Sequence, residues 1–182
     1  MQRVLRVTAG KRMRVWIWLE KPLDEIEPEP QLPSGYEFAP LNPDFDSVGD
    51  VSQVTIRRRQ ERGNACRVIR HRGKVVFWQW YIFTGKGEKK DLGVLTGAPK
   101  KTLLQESAVF FWDAYCDEDH RGNGLNRYCK TRIMRELRER EDVRTATTII
   151  SPFNEPNARS LEKMGFRSTS TIVRRAPKKA GV

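Results

Sequence analysis

Residues 107–126 read SAVFFWDAYCDEDHRGNGLN, an apolar run that breaks into acidic residues and then into a glycine pair. The first half, 107–116, has the nearly continuous apolar character of a strand buried on both faces. The second half leads into Leu125, Cys129, Ile133 and Leu137 at four-residue spacing, which predicts a helix over 125–140, with Glu136 placed to pair with Arg140 one turn on. Between them lies Arg121-Gly122-Asn123-Gly124. Glycines let backbone N–H groups converge, and a helix N-terminus adds positive potential, so buried strand, glycine loop and helix in that order can hold an anion such as a diphosphate. A glycine pair also turns a chain into a helix with no ligand present. Arg121 favours the anion, because it adds a cation beside the loop.

Downstream, residues 144–150 are β-branched and strand-like. Asn154 is a natural N-cap, Pro156 is tolerated in the first turn, Gly165 ends the helix, and 166–174 reads as a last strand. Strand, helix, strand from 107 to 150 implies a right-handed crossover between parallel strands in a mixed sheet. Upstream, 36–41 reads as a strand, 46–61 as one helix or two, and 65–70 with 74–83 as a hairpin joined through His71-Arg72-Gly73. The basic stretch 85–101 reads as a surface loop. Residues 1–20 hold two short apolar and basic runs, a hairpin or an edge strand. Residues 21–35, with Pro22, Pro28, Pro30 and Pro33, read as an exposed connector. The expected division is therefore an extension and connector over 1–35, the main domain over 36–175 and a basic tail over 176–182.

The chain has 182 residues, enough for one domain with a sizeable core. Its three cysteines, Cys66, Cys116 and Cys129, show neither a disulfide framework nor metal spacing, so no metal site is expected and a reducing cytoplasm is. No run approaches the roughly 18 apolar residues of a membrane helix, and the start lacks the apolar centre of a secretory signal, so neither membrane nor export is expected. The net charge of +11 attracts polyanions, which include nucleic acid, an acidic membrane and a phosphorylated cofactor.

The loop Arg121-Gly122-Asn123-Gly124-Leu125-Asn126 after a strand ending at Cys116, together with Asn154 opening a helix that closes in Leu161-Glu162-Lys163-Met164-Gly165-Phe166, resembles the GNAT superfamily of N-acetyltransferases. The resemblance covers roughly 107–174. It departs at Asn126, where the family carries a small residue, and at Leu161, where it carries a tyrosine. A stretch similar to Glu61-Arg62-Gly63-Asn64-Ala65-Cys66 further resembles members associated with polysaccharide and cell-envelope biosynthesis.

The resemblance implies an α/β fold with a mixed sheet and splayed central parallel strands. It implies acetyl-CoA as co-substrate and direct attack by an amine-bearing acceptor on the thioester. Residues 121–126 (Arg121, Gly122, Asn123, Gly124, Leu125, Asn126) would hold the pyrophosphate. Ala114, Tyr115, Cys116 and Asn154 would meet the pantetheine arm. The family's frequent homodimers are the expectation for assembly.

Catalytic groups are less marked. Leu161 cannot protonate a thiolate, which leaves Tyr115, Ser160 or solvent. Strand alternation puts Phe110 and Trp112 where family members often carry Glu or His. Glu106 lies on that face further back, and Asp113 points the other way unless a bulge intervenes. His71 and His120 read as turn and loop residues, Cys116 as a small hydrophobe, and the strand aromatics Trp78, Trp80, Phe110 and Trp112 as core before pocket. Two other functions stay open. The charge, with basic stretches such as 57–59, 86–101 and 174–179, could serve nucleic acid, which lacks supporting aromatic or helix-turn-helix signatures. The missing tyrosine would also suit a coenzyme A-binding protein without turnover.

Overall fold

The computed structural model describes residues 13–92 and 103–175. Among these the chain forms, in order, β1 (Met13–Pro22), β2 (Tyr36–Pro40), α1 (Gln53–Glu61), β3 (Ala65–His71), β4 (Lys74–Thr84), β5 (Lys90–Asp91), β6 (Leu103–Leu104), β7 (Ala108–Cys116), a 3-10 turn at Glu118–His120, α2 (Leu125–Arg140), β8 (Thr145–Ile150), α3 (Glu155–Lys163) and β9 (Arg167–Arg175). Seven strands make one sheet in the order β2-β3-β4-β7-β8-β1-β9, and β5 with β6 forms a separate short hairpin. The β7–β8 pair is parallel and its neighbours in the sheet are antiparallel. The mixed α/β sheet expected from the sequence is therefore present. The β3–β4 turn forms because Arg72 and Gly73 both take positive φ, 51° and 77°, the geometry that matches strand twist in a two-residue hairpin.

Both faces of β4 are buried, as its unbroken apolar run requires. Phe77 and Tyr81 join the core beneath α2 and α3, with Val109, Phe111, Leu125, Ile133 and Leu161. Trp78 and Trp80 face the other way, onto Ile56 of α1 with Leu41 and Val48. Such burial contributes about 1.5–3 kcal/mol for each large apolar side chain.

The strand at Met13–Pro22 is neither a hairpin nor an edge. It lies inside the sheet, antiparallel to β8 on one side and β9 on the other, so the division at residue 35 separates a strand from the sheet it completes. Nor is the proline-rich connector simply exposed. Leu23 is fully buried, Ile26 and Leu32 pack on the core, and Glu27 and Glu29 pair with Arg127 and Arg132 of α2. Proline prevents regular structure there without preventing the apolar side chains between prolines from inserting. Lys21 of β1 is buried and donates to the Met164 carbonyl at 2.6 Å, satisfying the end of α3. Gly165 permits this approach: it takes a φ of 79°, and a Cβ there would stand 3.3 Å from the Lys21 ammonium.

The helix expected over 46–61 begins at Gln53, where Ser52 caps it by accepting from the Thr55 N–H, and 46–52 is irregular. The first apolar run, the tail at 176–182 and much of the basic loop, 93–102, lie outside the described residues.

β7 and β8 pair only from Ala108–Thr145 to Phe111–Thr148. Within that stretch the Thr147 and Thr148 hydroxyls donate to the carbonyls of Val109 (3.1 Å) and Phe111 (2.9 Å). Beyond it, β7 follows β4 out to the Phe77–Cys116 pair while β8 follows β1 to Ile17–Ile150, and the two neighbours part. A bulge sits at the parting. Trp80 opposes Trp112 and Gln79 opposes Ala114, so Asp113 is the extra residue, with a φ of 44°.

Candidate functional site

A cleft of about 780 Å³ opens at the mouth of this V. Its floor is Phe77 with Ala114, Tyr115 and Cys116, whose edge toward β8 has no ladder partner among the described residues. Main-chain polar groups left so need a partner from elsewhere. One wall is the loop with Arg121, Gly122, Gly124, Leu125 and Asn126; the other is α3 with Asn154 and Ser160. The expected cofactor residues thus converge on one cleft. Asn123 is the exception, since its side chain turns back to donate to the His120 carbonyl at 3.1 Å and closes the loop.

The electrostatics suit a polyanion. His120, Arg121, Arg127, Arg159 and Lys163 line the cleft, and among the described residues no Asp or Glu does. Gly124, with a φ of 73°, is the N-cap of α2; no side chain caps the helix and its first turn holds no acid, so its leading N–H groups have no side-chain acceptor. A Cβ at Gly122 or Gly124 would meet nothing within 4 Å, so the space beside both is open. Arg121 donates to Glu118 (3.1 Å) and to the Cys116 carbonyl (3.3 Å), with its side chain 57% exposed. These residues fit a diphosphate. Arg127, Arg159 and Lys163 escaped the sequence reading, although Pro156, Arg159, Ser160 and Lys163 at i, i+3, i+4 and i+7 make one helical stripe.

Leu161 lies off that stripe. It is fully buried with Met164 and Phe166 in the core, so its position offers no group to the cleft, whereas Ser160 beside it does. Leu161→Ala is expected to lower stability by about 2–5 kcal/mol, measured by urea denaturation. A loss below about 1 kcal/mol would show that this side chain does not hold α3 to the sheet.

Tyr115, 40% exposed, stacks on Trp78 at 4.5 Å between centroids. It lines both the cleft and a hollow of about 890 Å³ on the α1 face of the sheet. Desolvation and the nearby Asp117 raise its pKa, so the hydroxyl keeps its proton. Burial also pushes the Cys116 thiol up, against the pull of Arg121, which does not suit a nucleophile. Asn154 accepts from the Asn157 N–H at 3.3 Å, so it caps α3 as well as lining the cleft.

Glu106 is excluded by place. It lies before the start of β7, accepts from the Gly87 N–H at 2.7 Å and is not among the residues that line the cleft. The carboxylate at the parting is Asp113, and the bulge that brings it there was a condition the alternation pattern could not supply. Asp113 accepts from Arg59 at 2.6 Å, and that guanidinium lies over the rings of Trp80 (4.9 Å) and Trp112 (4.7 Å). The carboxylate is thus clamped on the α1 face, with 36% of its side chain exposed. The two histidines meet far apart in sequence: their ring centroids are 5.1 Å apart, and the Tyr36 hydroxyl is 2.9 Å from Nδ1 of His120. His71 is the last residue of β3 and not part of the turn itself.

No cluster of His, Cys, Asp or Glu among the described residues could hold a metal ion, and no described helix is long and apolar enough to cross a membrane. No family model matches the chain, and no curated protein matches it. Solved structures do. They include a tandem GNAT protein from the clavulanic acid biosynthesis pathway, solved without AcCoA (15% identity, 93% of this chain and 56% of that one, TM-score 0.62). A GCN5-related N-acetyltransferase from Sphaerobacter thermophilus matches at 12% identity, over 92% of this chain and 53% of that one, with a TM-score of 0.62. A GCN5-related N-acetyltransferase from Kribbella flavida matches at 12% identity, over 91% and 60%, with a TM-score of 0.54. The fold is that of GNAT acetyltransferases. The chain spans little more than half the length of these structures.

Proposed function

We propose that this chain is an acetyl-CoA-dependent N-acetyltransferase of the GNAT superfamily, transferring the acyl group directly to an amine. The observation that carries the reading is the parting of β7 from β8 after Phe111–Thr148, which opens a cleft lined by cations and, among the described residues, by no carboxylate. The loop at 121–126 and the start of α2 hold the diphosphate, with Arg127, Arg159 and Lys163 adding charge. Main-chain groups at 114–116 and the side chain of Asn154 hold the pantetheine arm. The cofactor supplies a thioester whose carbonyl carbon forms the new C–N bond as its C–S bond breaks.

The chain's own task is to place the acceptor and move two protons. Asp113, clamped by Arg59 where the strands part, receives the acceptor ammonium on the α1 face. Water beside it takes one proton from the ammonium, which frees the nitrogen lone pair to attack, and the second proton leaves nitrogen as the C–N bond forms. Tyr115 stands between the two faces and Ser160 lines the cleft; either can donate the proton that the departing thiolate needs. The stretch at 61–66 supports a place among members associated with polysaccharide and cell-envelope biosynthesis. Thermal shift with acetyl-CoA, followed by thiol release over a panel of amines, tests the reading. Stabilisation without thiol release for any amine would leave a coenzyme A-binding protein without turnover. Salt-sensitive binding to DNA or RNA without any acetyl-CoA response would favour the nucleic-acid reading.

A further inference from the structure

The departure from the family signature at Asn126 has a partner in the structure. Lys130, one turn along α2, is 4% exposed, and its ammonium donates to Oδ1 of Asn126 at 2.6 Å. The same ammonium donates to Oε1 of Gln79, a residue only 1% exposed in the middle of β4. Gln79 in turn donates from Nε2 to the carbonyls of Trp80 (2.7 Å) and Trp112 (2.8 Å). The ammonium also lies 5.4 Å from the Phe111 ring centroid. One buried cation therefore joins a residue lining the cleft to the carbonyl immediately before the bulge at Asp113. A lysine is seldom buried so fully unless paired, and among the described residues no carboxylate is hydrogen-bonded to this one. Its position is a desolvation cost that an apolar side chain would not carry.

We propose that Lys130 is a positioning residue that locks the acceptor-side bulge to the cofactor cleft through Gln79 and Asn126. The inference rests on the acetyltransferase reading of the cleft. An ammonium on Oε1 polarises the Gln79 amide and strengthens its donation to the Trp112 carbonyl, which holds the bulge and hence Asp113 in register. The charge also acts on a polyanion in the cleft across a dry interior, where it is weakly screened.

Burial lowers the Lys130 pKa to about 8, against a smaller effect of Cys129. The ammonium is charged below that pH and neutral above it. The other titratable and charged groups of this neighbourhood are Arg59 on α1, Cys66 and Arg67 on β3, Tyr81 on β4, Asp113 on β7 and Cys129 and Glu136 on α2. Burial drives the Cys66 thiol far up and holds Cys129 and Tyr81 at about 12, and Arg67, which pairs with Glu136 at 2.8 Å, is raised, so neither the two thiols, the Tyr81 phenol nor the Arg67 guanidinium titrates between pH 7 and 9.5.

The test is acetyl-CoA affinity by thermal shift, and steady-state thiol release, at pH 7 and pH 9.5 for the wild type and Lys130→Met. Wild-type affinity is expected to fall about tenfold between the two pH values as one buried charge is lost. Lys130→Met should bind with the weaker affinity at both, and its kcat should fall about tenfold with little change in KM for the amine. Lys130→Gln, which keeps a donor for Gln79 without the charge, should fold and lose the pH dependence even if the methionine variant does not fold. A pH dependence unchanged in either folded variant overturns the proposal while leaving the acetyltransferase reading in place. A wild type that acetyl-CoA does not stabilise at either pH overturns both.

Discussion

Acetyl-CoA at a hundredfold excess over its Kd is expected to raise the unfolding temperature of the wild-type protein by about 5–10 °C and that of Gly124→Trp not at all. Mass action at that excess stabilises the native state by about 2.7 kcal/mol, and a chain of this size gains roughly 2–4 °C per kcal/mol. Gly124 is the position at which to block the site. It is the N-cap of α2, and a side chain added there meets open space within the cleft and not other protein atoms. An indole therefore takes the volume a diphosphate needs. Its φ of 73° makes any side chain costly, by about 1–3 kcal/mol, so the variant unfolds earlier without ligand and the quantity to compare is the shift. Equal shifts in the two proteins would mean that the anion binds elsewhere, and the glycine loop would then be only a turn.

The second large effect is on turnover. Asp113→Asn is expected to lower kcat/KM for the amine about a hundredfold while the acetyl-CoA shift is unchanged. Asparagine tolerates the left-handed backbone that a φ of 44° demands, so the bulge survives and the change is confined to charge. Arg59 still has an oxygen to donate to, so the clamp on Trp80 and Trp112 also survives. Initial rates of thiol release with saturating acetyl-CoA measure the loss. If kcat/KM stays within about twofold of the wild type, the acceptor ammonium is held by another group.

The convergence of the glycine loop and Asn154 on one cleft was legible because its signal is local. A strand, two glycines and an amphipathic helix occupy consecutive residues, and both the loop and Asn154 reach one cleft as that order requires. The orientation of Asp113 was not legible, because one inserted residue reverses the alternation on which any reading of β7 depends. Asp113 faces Arg59 only because Trp112 and Ala114 oppose adjacent residues of β4. Nothing in the sequence singles out Lys130, because its burial against Gln79 of β4 is a contact between α2 and the sheet that periodicity does not report. Nor does the alternation in Met13–Pro22 say which strands it joins. That is set by vacancies elsewhere in the sheet, between β8 and β9.

The place of β1 has a consequence for biogenesis. β1 is made well before β8 and β9, the strands with which it pairs from Ile17–Ile150 to Val15–Val173. At ordinary elongation rates it waits on the order of ten seconds with both edges unsatisfied. Closure of the sheet is therefore a long-range, late event, and until it happens β8 lacks the neighbour that draws it away from β7. The nascent chain acquires the crevice between β7 and β8 only after β1 has joined β8 and β9.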